Sequence, residues 1–105
     1  MKRTIARAIG LVAVALLPSE AAATAYRVVI QDMKFGPTPA AVKVGDTIEW
    51  VNRDIFRHTA TARDGSFAID LPAGKTGRSV MKHAGKIAFF CKYHPGMAGS
   101  LTVNR

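Results

Sequence analysis

Four side chains with metal-binding chemistry stand out in this chain. Cys91, His94 and Met97 follow one another at intervals of three in Cys91-Lys92-Tyr93-His94-Pro95-Gly96-Met97, and a second imidazole, His58, lies upstream. A thiolate, two imidazoles and a weak thioether suit a single copper ion, held between the geometries its two oxidation states prefer. Such a site moves little when an electron arrives or leaves. Zinc accepts thiolate and imidazole, but a thioether makes it the less attractive ion. Cys91 is the sole cysteine, so no disulfide within one copy of the chain engages it.

These donors need elements to bring them together. Lys86–Cys91 reads as a strand running into the motif, Ser100–Val103 as the strand after it, and Pro95-Gly96 supplies turn chemistry between them. His58 follows the alternating, β-branched strand Thr47–Asn52 and a loop over Arg53–Arg57, so it can approach from the same end. Further strands are read over Tyr26–Asp32, Ala41–Val44, His58–Thr61 and Ser79–Lys82. Phe35-Gly36-Pro37-Thr38-Pro39 reads as a break, Gly45-Asp46 as a turn, and strand signals are weak between Asp64-Gly65 and Pro72-Ala73-Gly74. No stretch combines helical periodicity with caps, and no repeat or linker interrupts the chain. Many short strands separated by turns give an all-β fold, a small Greek-key β-sandwich.

The first residues read as an export signal rather than as fold. Lys2, Arg3 and Arg7 precede the apolar run Ala8–Leu17, and Ala21-Ala22-Ala23-Thr24-Ala25 carries a small-x-small cleavage pattern. The run is shorter than the ~20 residues a bilayer span needs, so no stable membrane insertion is expected. Residues 1–25 are read as the signal peptide and 26–105 as the domain; cleavage after Ala23 fits the pattern as well. A domain this small often needs a staple. With no disulfide available, a bound metal is the staple that remains. The chain has 15 Lys+Arg against seven Asp+Glu. The basic residues are scattered, which speaks against nucleic acid and suits an acidic redox partner.

The chain resembles the cupredoxins, closest to their amicyanin/plastocyanin branch. The likeness rests on the Cys-x-x-His-x-x-Met loop, on Met33-Lys34-Phe35, on Val42–Arg53 followed by His58, on Ala84-Gly85 with the strand before Cys91, and on Gly99–Val103. It implies one type-1 copper ion with His58, Cys91 and His94 as strong ligands and Met97 as the weak axial one. It implies a monomeric, periplasmic carrier of single electrons. Redox partners would dock briefly near His94, ringed by Tyr93, Pro95, Gly96, Ile55 and Phe56. Two positions depart from the family pattern: Thr59 stands where Asn is common, and Lys92 where a small hydroxyl residue is common. Both bear on the reduction potential, because groups around the ligands tune a metal site.

Other residues read as structural. His83 is expected in solvent, Met33 and Met81 at core or edge, Trp50 in the core, and Asp46 and Glu49 as a turn and a strand-face residue. No acid/base dyad, nucleophile triad or phosphate loop is present, and four protein ligands would leave no open metal position for a substrate. The chain is thus not expected to be an enzyme. The alternative function is a periplasmic protein for copper delivery or tolerance, against which stands the lack of a Met-rich or His-rich tract.

Overall fold

A computed structural model describes residues 22–105 and the isolated Gly10. The leader read over residues 1–25 therefore lies, apart from Gly10 and residues 22–25, outside the described residues. No helix is present among the described residues. Nine strands follow in order: β1 (Ala25–Gln31), β2 (Lys34–Phe35), β3 (Val42–Lys43), β4 (Thr47–Asn52), β5 (His58–Ala62), β6 (Ala68–Leu71), β7 (Thr76–Val80), β8 (Gly85–Cys91) and β9 (His94–Asn104).

The strands form a two-sheet sandwich. One sheet has the order β2-β1-β4-β7 and the other β3-β9-β8-β5-β6. The β1–β4 and β3–β9 pairs are parallel and the remaining pairs antiparallel. Alternation explains the packing. In β4, Ile48, Trp50 and Asn52 point inward while Thr47, Glu49 and Val51 are half-buried, and in β1, Val28 and Ile30 do the same. An aromatic cluster fills the space between the sheets. The Trp50 ring lies edge-on to Phe89 at 5.0 Å and to Phe35 at 6.1 Å, and tilted against Phe67 at 5.6 Å. The buried indole N–H of Trp50 donates to Ser79 Oγ at 2.9 Å, which satisfies the one polar atom that ring brings into the core.

Most of the strands read from sequence are present, with β7 shifted to begin at Thr76, and Trp50 and Met81 are buried in the core. Three features differ. Phe35, read as the start of a break, instead joins Lys34 in β2, because the chain reverses at Asp32-Met33, with φ of 54° and 60°. That is a two-residue reversal with positive φ at both positions, the kind that matches strand twist but ordinarily calls for Asn or Gly. Ala68–Leu71, where signals were weak, pairs with β5 at the sheet edge. Finally, β9 begins at His94 rather than Ser100, so the motif turns at Lys92-Tyr93 and not at Pro95-Gly96.

Candidate metal centre

The placement of that turn decides how the donors meet. Along most of its length β8 pairs with β9 in a regular ladder from Gly85–Val103 to Phe90–Ala98. The next pair is Cys91–His94, so Pro95, Gly96 and Met97 have no partners on β8 and bulge from the ladder. Proline and glycine tolerate such a place, since neither is needed in the ladder. The bulge leaves Met97 buried while Pro95 and Gly96 are exposed. His58 opens β5, the strand beside β8. The three strong donors thus sit at one end of adjacent strands of one sheet.

His58 Nδ1 lies 3.7 Å from Cys91 Sγ, and His94 Nδ1 lies 3.8 Å from it. The ligand atoms of all three residues fall within 4.8 Å of one another. An ion bonded to both partners at ordinary metal–nitrogen and metal–sulfur lengths separates N from S by roughly 3.6–3.8 Å, so the spacing fits one shared ion. Cys91 and His58 are fully buried, Met97 is nearly so, and His94 is half-buried. His94 is the donor that reaches toward solvent, against Phe56, whose ring centroid is 6.5 Å away. Ile55, Phe56 and Tyr93 are large exposed hydrophobic residues around this end. His83, by contrast, is exposed and lies outside the cluster.

The surroundings hold these donors in place. Thr59 N–H donates to Cys91 Sγ at 3.4 Å, an amide aimed at the charge a thiolate carries. Thr59 Oγ1 accepts from Lys92 N–H at 2.9 Å and shares a hydrogen with Thr61 Oγ1 at 2.9 Å. Thr59 therefore ties the two ligand-bearing segments together, and the side chain of Lys92 has no part in that link: its ammonium lies 5.3 Å from the Tyr93 ring centroid.

Two functional residues were not singled out from the sequence. Asp54 accepts from Asp32 N–H at 2.7 Å and Met33 N–H at 3.0 Å, and its Oδ2 lies 2.8 Å from His58 Nε2. Burial pushes the Asp54 carboxyl up, but the Met33 amide, the His58 ring and the Asp32 amide together outweigh it and hold it below the ordinary carboxylate range. Asn52 is buried. Its amide donates to the carbonyls of Phe56 and Leu71 at 2.8 and 2.9 Å, and its oxygen accepts from Asp54 N–H at 2.9 Å. It shapes the whole loop from Arg53 to Arg57. An Asn two residues before an Asp at a strand end is the Asx-turn signal that pointed there.

The donor chemistry and spacing fit copper in a type-1 site. Comparison with known proteins agrees. The Cupredoxin-like domain family matches residues 4–103. The amicyanin of Paracoccus versutus is 29% identical over 87 residues, which are 77% of this chain and 66% of that protein. This chain therefore spans slightly less than two thirds of that relative. The Cu(I) form of an amicyanin variant superposes with a TM-score of 0.66 at 31% identity, covering 81% of this chain and 87% of the other. A copper-containing nitrite reductase from Thermus scotoductus SA-01 superposes with a TM-score of 0.66 at 28% identity, covering 75% of this chain but 22% of that enzyme. With the match to the family running along nearly its whole length, this chain belongs to the cupredoxins.

Proposed function

We propose that this protein is an exported, periplasmic type-1 copper protein that carries single electrons between redox partner proteins. The observation that carries this reading is the convergence of His58 Nδ1, Cys91 Sγ and His94 Nδ1 at the end of one sheet. His58, Cys91 and His94 are the strong ligands, and the buried thioether of Met97 is the weak one. When bound, copper supplies one-electron exchange between its Cu(II) and Cu(I) states.

The chain's own groups do the rest. Asp54 holds the proton of His58 on Nε2, which leaves the lone pair of Nδ1 free for an ion shared with Cys91. Thr59 N–H donates to Cys91 Sγ and so helps fix where the sulfur sits. The core beneath the site excludes water, and rigid strands keep the donors where either oxidation state needs them. His94 offers the route to solvent. The exposed rim of Ile55, Phe56 and Tyr93 offers an apolar contact at which a redox partner docks briefly. Scattered lysines and arginines steer an acidic partner toward it. Relatives in this family that are amicyanins support the carrier reading over an enzymatic one, since the nitrite reductase shares only a small part of its length with this chain. No helix among the described residues is long and apolar enough to cross a membrane.

Titrating the purified protein with Cu(II) tests this. An intense visible thiolate-to-copper band with narrow copper hyperfine splitting, lost in Cys91→Ser, is the expected result. Weak binding with no such band would sink it.

A further inference from the structure

The sequence offers two equivalent frames for signal cleavage, Ala21-x-Ala23 and Ala23-x-Ala25. The two products would differ in the contacts they keep once folded. Resting on the export reading above, we propose that the chain is processed at the Ala23–Thr24 bond, and that the new α-ammonium group of Thr24 is clamped by the carboxylate of Asp46.

Thr24 is already part of the sandwich. Its N–H donates to Asp46 Oδ1 at 2.9 Å, and its carbonyl accepts from Thr47 N–H at 2.9 Å. Ala25 makes the first rung of the β1–β4 pair, opposite Thr47. Asp46 is built to receive a donor there. It is 6% exposed, its second oxygen accepts from Lys43 N–H at 2.8 Å, and its own backbone is tied to Lys43 and Met81. The Thr24 amide, ahead of the Lys43 amide and the Lys43 charge, holds its carboxyl below the ordinary range against the effect of burial.

Cleavage after Ala25 would remove Thr24 and Ala25 together. One oxygen of Asp46 and the amide of Thr47 would lose their partners, and the first rung would be gone. Cleavage after Ala23 preserves all three. Water adds across the Ala23–Thr24 amide, leaving a carboxylate on Ala23 and a protonated amine on Thr24. The nitrogen that donated as an amide now donates as a cation, which strengthens a bond to a carboxylate. Thr24 lines a recess together with Tyr26, Val44 and Asp46, and removal of Ala22 and Ala23, which also line it, opens it further. The bond itself is accessible: Ala22, Ala23 and Thr24 are exposed and precede β1.

The test uses the full chain, expressed in a bacterium that exports it, with N-terminal sequencing of the product recovered outside the cytoplasm. A sequence beginning at Thr24 is expected. A product beginning at Tyr26, or an uncut chain recovered outside the cytoplasm, overturns this proposal and leaves export standing, whereas a chain found uncut and only in the cytoplasm overturns both. The α-amino group of the product is then titrated by nuclear magnetic resonance. Its proton affinity should exceed that of an ordinary chain terminus, pKa about 7.7–8.0, by roughly tenfold, and Asp46→Asn made in the full chain should abolish the excess. An ordinary value in the unmodified protein overturns the clamp, however the variant behaves.

Discussion

The carboxylate of Asp54 lies 2.8 Å from Nε2 of His58, with the imidazole wholly buried and the acid 10% exposed. The same carboxylate receives the amides of Asp32 and Met33. One acid thus orients a metal donor and stabilises a strained reversal between β1 and β2. Replacing it with Asn removes the charge and halves the acceptors. Loss of such an outer partner typically costs 10–100-fold in metal affinity. For Asp54→Asn a copper-competition titration should show a drop of about that size, with the thiolate band retained.

Thr59 replaces the Asn of the family pattern and still links the two segments through Lys92 N–H. Thr59→Val leaves that amide without an acceptor, which costs about 1–3 kcal/mol in a part-buried setting. Thr59→Ser keeps the oxygen and should stay within about 1 kcal/mol of the parent, since a surviving partner avoids the desolvation cost. Urea unfolding of the metal-free proteins reads both.

Acid should weaken the end of the sandwich remote from the metal. The Asp46 carboxyl sits below its ordinary value of 3.8 in the folded protein. A depressed folded-state pKa gives stability that is present above the unfolded value and lost as pH falls through the folded one. The thermal midpoint of the metal-free protein should therefore fall below pH about 4, and fall less steeply in Asp46→Asn. Parallel slopes for the two proteins would contradict this.

Gly99 faces Phe89 across the β8–β9 ladder. A methyl group there would lie 2.6 and 2.8 Å from Cζ and Cε2 of that fully buried ring. Gly99→Ala should cost about 1–3 kcal/mol by overpacking. Gly96→Ala meets nothing within 4 Å and should be near neutral, which denaturant midpoints for the pair will show.

Much of this was legible in the chain because it depends on local pattern. The alternation of Thr47–Asn52 and the apolar run into Cys91 announce their strands, and the donor types announce the ion. The motif's turn was not legible. Pro95-Gly96 carries the stronger turn signal, yet register with β8 makes it a bulge and puts the reversal at Lys92-Tyr93. The β2 strand was hidden for a similar reason: nothing in Asp32-Met33 advertises a tight reversal, since what stabilises it is Asp54, twenty-one residues beyond Met33. The Asn52–Asp54 turn is locally signalled, but the contacts of Asp54 with His58 and with the Asp32-Met33 reversal exist only once β1, β4 and β5 are assembled.

The bulge at Pro95–Met97 also bears on how this protein could change. The β8–β9 ladder is complete from Gly85–Val103 to Phe90–Ala98 before the chain reaches the donors. Core and metal segment are therefore separate modules joined at one rung. Residues inserted or exchanged between His94 and Ala98 would alter the reach and angle of Met97 without shifting a single pair beneath. Redox behaviour in this scaffold can diverge by editing a few residues, while the sandwich that carries them is inherited intact.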